Sequence, residues 1–205
     1  MLSLDIIFSF FGIAVLLCLS PGPDNLFVIT LSALRGARAG LWVVLGLCSG
    51  LVVHTLLVAL GVAALIAASP TTFTILKLLG AAYLLYLAWG AWNAPASTDS
   101  SNEAPTLTPF KAWTRGVVMN LTNPKVILFF LAFLPQFAQP ENGSMVLQLM
   151  ALGLLFIVAA WLTFSCLALM AGTLGQKLRS SVTLQRSLNR GAAIVFVGLA
   201  LKLLL

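Results

Sequence analysis

Charge is the first thing this chain lacks. Only 8% of its 205 residues are Asp, Glu, Lys or Arg, against 60% hydrophobic, and mean hydropathy is +1.07. Soluble domains carry about 25% charged residues, and so few polar groups cannot cover a water-exposed surface. Histidine is almost missing too, with His54 alone. One histidine, five carboxylates mostly in loops and no HExxH leave nothing from which to build a hydrolase. We therefore expect no enzyme activity, no catalytic residue, no metal site and no cofactor. Cys18, Cys48 and Cys166 all fall in apolar runs without CxxC or metal spacing, and read as small buried side chains. Residues 1–5 hold no Lys or Arg, and no small-residue cleavage site follows. The first apolar run is thus expected to stay rather than be cleaved.

What the chain has is long apolar stretches, recurring at the length of about 20 residues that crosses a bilayer. Six spans are expected, near residues 5–32, 40–67, 71–93, 113–134, 145–171 and 186–205. The fold class is an all-α, multi-pass integral membrane protein, with the lipid bilayer as its solvent. The net charge of +6 comes from basic residues scattered over short loops, so no nucleic-acid partner is expected. Arg35, Arg38, Lys111, Arg115, Lys177, Arg179, Arg186 and Arg190 all fall in the first, third and fifth connections. By the positive-inside rule those loops are cytoplasmic and both termini lie outside. Trp42, Trp89, Trp92 and Trp113 then sit at cytoplasmic span ends, where an aromatic belt belongs.

Two apolar spans are interrupted. The first carries Leu19-Ser20-Pro21-Gly22-Pro23-Asp24-Asn25-Leu26-Phe27, and the fourth carries Asn120-Leu121-Thr122-Asn123-Pro124-Lys125. Each proline lacks an N–H and clashes with the carbonyl four residues back. In hydrocarbon such a break is tolerated only where it is buried in protein or lines a cavity. Asn123 is a good N-cap before a proline at the first helical position. Asp24 and Lys125 both fall at membrane depth, where a charge costs about 2.5–3.5 kcal/mol on insertion scales and wants a partner. Each is expected to partner the other.

The breaks also suggest an internal repeat. Leu19-Ser20 and Leu26-Phe27 align without a gap on Leu121-Thr122 and Leu128-Phe129. Gly80-Ala81-Ala82 matches Gly191-Ala192-Ala193, and Gly46-Leu47 matches Gly153-Leu154, which sets His54 opposite Trp161. The expected architecture is a 3+3 inverted-topology repeat with helices one and four broken. Its first three-helix repeat is 1–93, its cytoplasmic linker 94–112 and its second repeat 113–205. Breaks at corresponding places in two halves are the usual pointer to a transporter binding site.

A zwitterionic amino acid needs both signs of charge close together. Asp24 suits its ammonium, and the N–H groups opening the half-helices after Pro23 and Pro124, with Lys125, suit its carboxylate. Asn25, Asn120 and Asn123 offer neutral hydrogen bonds, while Pro21, Gly22, Pro23 and Pro124 make the breaks. Asp24 is also a candidate proton carrier. His54 shares a helix face with Gly46 and Gly50, and reads either as a proton relay or as a neutral packed side chain. Trp161 is a candidate pocket wall or packing residue. The glycine face of span two suits internal packing or a homodimer.

These motifs, with Leu79-Gly80-Ala81-Ala82-Tyr83-Leu84-Leu85-Tyr86-Leu87 between them, resemble the lysine exporter (LysE) superfamily. Within it the resemblance is to the RhtB homoserine/threonine efflux branch, and it covers essentially the whole chain. The resemblance implies ion-gradient-driven efflux of amino acids across a bacterial inner membrane, without fixing which amino acid. The expected function is therefore a secondary active exporter of a small neutral amino acid, with a proton or other ion as coupling partner. The alternatives are a passive channel and a structural membrane subunit. A thiol-based electron carrier would need cysteines at both breaks, and span four has none.

Overall fold

A computed structural model describes residues 2–20, 22–62, 70–93, 107–179 and 182–204. Pro21 and most of the expected linker, residues 94–106, lie outside the described residues. Every regular element among those described is helical.

The first span is two helices, α1 (Leu4–Leu19) and α2 (Pro23–Arg35), whose axes are bent by 63°. Ser3 caps α1 by accepting from the Ile6 amide, and Pro23 opens α2, where its missing N–H costs nothing. Gly36, at φ +84°, turns the chain from α2 into α3 (Ala37–Leu57), a backbone setting that suits glycine. A π-helical turn, Val58–Val62, extends α3. After α4 (Pro70–Asn93), helix α5 (Pro109–Thr122) starts inside the expected linker, because Thr108 accepts from the Lys111 amide ahead of Pro109. The short α6 (Pro124–Leu128) follows, continued by a π-helical turn, Phe129–Phe133, and a 3-10 turn, Leu134–Phe137. The α5 and Pro124–Phe137 axes are bent by 51°. Two long helices, α7 (Met145–Arg179) and α8 (Val182–Leu204), complete the chain.

Among the described residues, Ala37–Gly61 and Met145–Thr173 are each long and apolar enough to cross a membrane. The two bent pairs reach the same standard if each is counted as one span. At about 1.5 Å rise per residue, α4 and α8, with 24 and 23 residues, also reach the length of a bilayer crossing. The most extensive packing joins α3 to α5 and to α7, α4 to α8, and the bent α1–α2 pair to α7.

The α3–α5 contact explains the glycine stripe. A Cβ on Gly46 would lie 2.0 Å from the Trp113 carbonyl oxygen, and one on Gly116 2.3 Å from that of Val43. The two backbones touch, as small-residue stripes allow in membrane helices. This face is therefore filled from within the chain, and a homodimer would have to use another.

Replacing Gly46 by Ala forces these backbones apart and should cost about 1–3 kcal/mol. Gly12→Ala, with nothing within 4 Å, should be nearly silent. Thermal unfolding of the purified protein in detergent compares the two, and equal midpoints would contradict the packing argument.

Candidate translocation site

The site grows out of a backbone problem. The last carbonyls of a helix have no partner within it, and α1 ends inside the protein among buried residues. The rest of the chain supplies donors for them. Lys125 Nζ donates to the carbonyls of Leu17 (3.3 Å) and Ser20 (3.0 Å), and Asn25 Nδ2 donates to that of Cys18 (2.6 Å). The Ser20 amide returns to the Leu16 carbonyl. A cation at a helix C-terminus also meets the negative end of the helix dipole. Gly22 makes the approach possible, since a Cβ there would stand 3.2 Å from Lys125 Nζ.

Asp24 lies in the first turn of α2, at the positive end of that helix's dipole, and is 2% exposed; Lys125 is 6% exposed. The two were expected to partner each other, and among the described residues no ion pair joins them. Asn123 stands between. Its Nδ2 donates to Asp24 Oδ2 at 2.8 Å, while its Oδ1 accepts from the Lys125 amide at 3.0 Å as the N-cap of α6. One side chain thus caps α6 after one break and holds the acid that opens α2 after the other. Asp24 and Lys125 remain close enough for their charges to interact.

His54 fills a related gap. Pro124 has no N–H to give the Asn120 carbonyl; that oxygen accepts instead from the Asn123 amide (3.1 Å), with His54 Nε2 3.3 Å away. The imidazole is buried, with its ring centroid 5.6 Å from that of Phe130. Gly50 lets Asn120 in, as a Cβ there would meet Asn120 Oδ1 at 2.6 Å.

The network is incomplete on one side. Ser20 Oγ, Asp24 Oδ1, Asn25 Oδ1 and Asn120 Oδ1 are buried acceptors without a hydrogen-bond partner. Leaving such groups unsatisfied costs about 1–3 kcal/mol each, so the break keeps a stock of oxygen acceptors that can take N–H donors. Lys125 has three ammonium protons, and two are committed to carbonyls.

The structure therefore brings together Asp24, Asn25, Asn120, Asn123, Lys125 and His54, with Gly22, Pro23 and Pro124 at the breaks. It does not bring Trp161 to them. That residue is 38% exposed, on the surface of α7. The alternation along α7 explains this, because its neighbours Ala160 and Thr163 take the inward positions. Ser20 was missed by sequence reasoning, although its place at the broken end of α1 pointed to an unpaired carbonyl. A cluster of Phe10, Phe129, Phe130, Phe133, Phe137 and Phe156 was missed as well; ring centroids such as Phe129–Phe133 (5.0 Å) and Phe10–Phe137 (5.1 Å) mark it. In an apolar sequence these phenylalanines carry no distinguishing signal.

Two broken membrane helices whose ends meet around buried charges of both signs define a membrane translocator rather than an enzyme. The chain belongs to the LysE type translocator family, which matches residues 15–205. It is 36% identical over 197 residues to an uncharacterized membrane protein of Pseudomonas aeruginosa, covering 92% of this chain and 90% of that one. It is 32% identical over 190 residues to the homoserine/homoserine lactone efflux protein of Salmonella typhimurium, covering 93% and 91%. Over 191 residues it is 31% identical to the leucine efflux protein of Salmonella choleraesuis, covering 93% and 90%. No solved structure matches the chain.

Asn123→Ala removes the cap of α6 and, among the described residues, the one hydrogen bond to the Asp24 carboxylate. Together these should cost about 2–4 kcal/mol, read as a lowered unfolding midpoint in detergent. A midpoint unchanged from the parent would show that Asn123 does not tie the two breaks together.

Proposed function

We propose that this chain is a secondary active exporter of small neutral amino acids, coupled to protons, in a bacterial inner membrane. The observation that carries the reading is the Asp24–Asn123–Lys125 connection between the two breaks, with Asp24 Oδ1 buried and unpartnered. An amino acid's ammonium brings three N–H donors, one for Asp24 Oδ1 and two for the unpartnered oxygens of Ser20, Asn25 and Asn120. Its carboxylate suits the third Lys125 proton and the N–H groups opening α2, whereas those opening α6 are taken, the Lys125 amide by Asn123 Oδ1 and the Val126 and Ile127 amides by the Asn123 carbonyl. The names of the homoserine/homoserine lactone and leucine efflux relatives support amino-acid export. They differ from one another in substrate, so the side chain carried is a matter of pocket shape.

Six spans in a 3+3 inverted repeat, 1–93 and 113–205 about the linker 94–112, fit this function, with both termini outside. The packing supports that arrangement. Exchanging span one with four, two with five and three with six turns the α3–α5 contact into that of α7 with the first span. The same exchange leaves α4–α8 and α3–α7 each as itself. In this scheme Asp24 carries the coupled proton, because a carboxylate that serves an ammonium in one state and a proton in the other links the two flows. His54, held at the Asn120 carbonyl, is assigned to positioning the fourth-span break.

Reconstituted protein with an imposed proton gradient should accumulate labelled homoserine or leucine against its concentration gradient. A passive channel would only equilibrate them. Asp24→Asn should abolish gradient-driven accumulation while leaving protein abundance near normal, and full transport by that variant would remove Asp24 as proton carrier. Normal transport by the double variant Asp24→Asn, Lys125→Gln would reduce both residues to helix-locking groups.

A further inference from the structure

The network around Asp24 does not use a second place where opposite charges converge. A cavity of about 230 Å³ is lined by Asp5, Ile6, Ser9, Gln136, Phe137, Gln139 and Lys202. Its acid comes from the first turn of α1, its base from the last turn of α8, and its amides from the chain just beyond α6. Among the described residues, no hydrogen bond or ion pair occupies the Asp5 carboxylate. The Lys202 ammonium lies over the Phe137 ring at 3.8 Å, a cation–π contact, and among the described residues no carboxylate pairs with it. The cavity is smaller than the roughly 300–1,000 Å³ of drug-sized ligand pockets, and suits a molecule of a few heavy atoms.

Position matters as much as chemistry. Along α1 the cavity residues Asp5 and Ser9 come first, then Phe10, then the Leu17 carbonyl that holds Lys125. Twelve residues separate Asp5 from Leu17, about 18 Å at 1.5 Å rise per residue. Phe10, Phe129, Phe133 and Phe137 pack together over that interval, with centroids 5.0–6.1 Å apart for the touching pairs. An apolar plug therefore stands between the cavity and the buried site.

We propose that this cavity is an exit vestibule that binds the departing amino acid, its ammonium on Asp5 and its carboxylate on Lys202. The inference rests on the exporter reading and on the outward position of the N-terminus. The plug then closes the conduit between the two sites, and Phe137 serves both as part of the plug and as the seat of Lys202. A phosphatidylethanolamine headgroup carries the same two charges, so the experiment must separate lipid from free solute.

Ser9→Cys provides a reporter on the cavity wall. In vesicles of phosphatidylglycerol alone, a membrane-impermeant thiol reagent should label this cysteine from the side bearing the N-terminus. L-leucine or L-homoserine should slow the labelling, whereas propylamine and propionate, each with one charge, should protect less. Asp5→Asn or Lys202→Gln should raise the half-protecting concentration about fivefold, the size of one partly screened ion pair. The charge swap Asp5→Lys, Lys202→Asp should restore protection, which also guards against a variant that fails to fold. Protection unaffected by neutralising either charge, no protection at all, or protection that appears only when phosphatidylethanolamine is added would each overturn the vestibule. The readout needs no transport. Vesicles that accumulate amino acid without protecting the cysteine defeat this inference alone, whereas absent accumulation defeats the exporter reading beneath it.

Discussion

Everything around the first break depends on three carbonyl oxygens that α1 cannot satisfy for itself. Water would solve the problem in a soluble protein. In a bilayer each unpaired group costs several kcal/mol, so the donors must come from the chain. They come from Lys125 and Asn25, and Lys125 belongs to the other half of the molecule. The end of α1 is thereby unable to satisfy itself without the Lys125 side chain of α6. The close α3–α5 packing carries Asn120 and its neighbours into place to complete that dependence.

The electrostatics follow from the same geometry. Asp24 sits at the start of α2 and Lys125 reaches the end of α1, so each charge lies at the helix pole of opposite sign. A direct ion pair would have consumed both groups. Asn123 instead spends its two ends on Asp24 and on the α6 amide, which leaves one carboxylate oxygen and one ammonium proton uncommitted. Two charges kept near each other but apart is the arrangement a zwitterion requires, and the exporter reading rests on it. The Asp5–Lys202 cavity repeats the pattern toward the end of the bundle, in a more exposed setting, on the far side of the phenylalanine cluster.

Membrane character and the positions of the two breaks were legible from the chain, because prolines and charges are conspicuous in a long apolar run. The N-cap role of Asn123 followed from Asn-Pro local chemistry, and the close packing of Gly46 and Gly50 from their spacing of four. Those features depend on neighbours within one or two turns. The start of α5 at Pro109 was within the same reach, through Thr108 ahead of the proline, yet was placed four residues late.

What the tertiary structure alone decided is who touches whom. Asp24 and Lys125 are 101 positions apart, and no local rule says whether they meet directly or through Asn123. Trp161 was set opposite His54 by alignment, but the rotation of α7 about its axis turns it outward, and rotation is decided by packing against α1, α2 and α3. The cavity between Asp5 and Lys202 joins the two ends of the chain, and nothing in either segment announces the other. The sequence by itself determined that this protein lives in a membrane with two broken helices, since hydropathy and proline act locally. Three-dimensional packing decided that the breaks share one network, since satisfying a buried carbonyl depends on which distant donor the fold delivers.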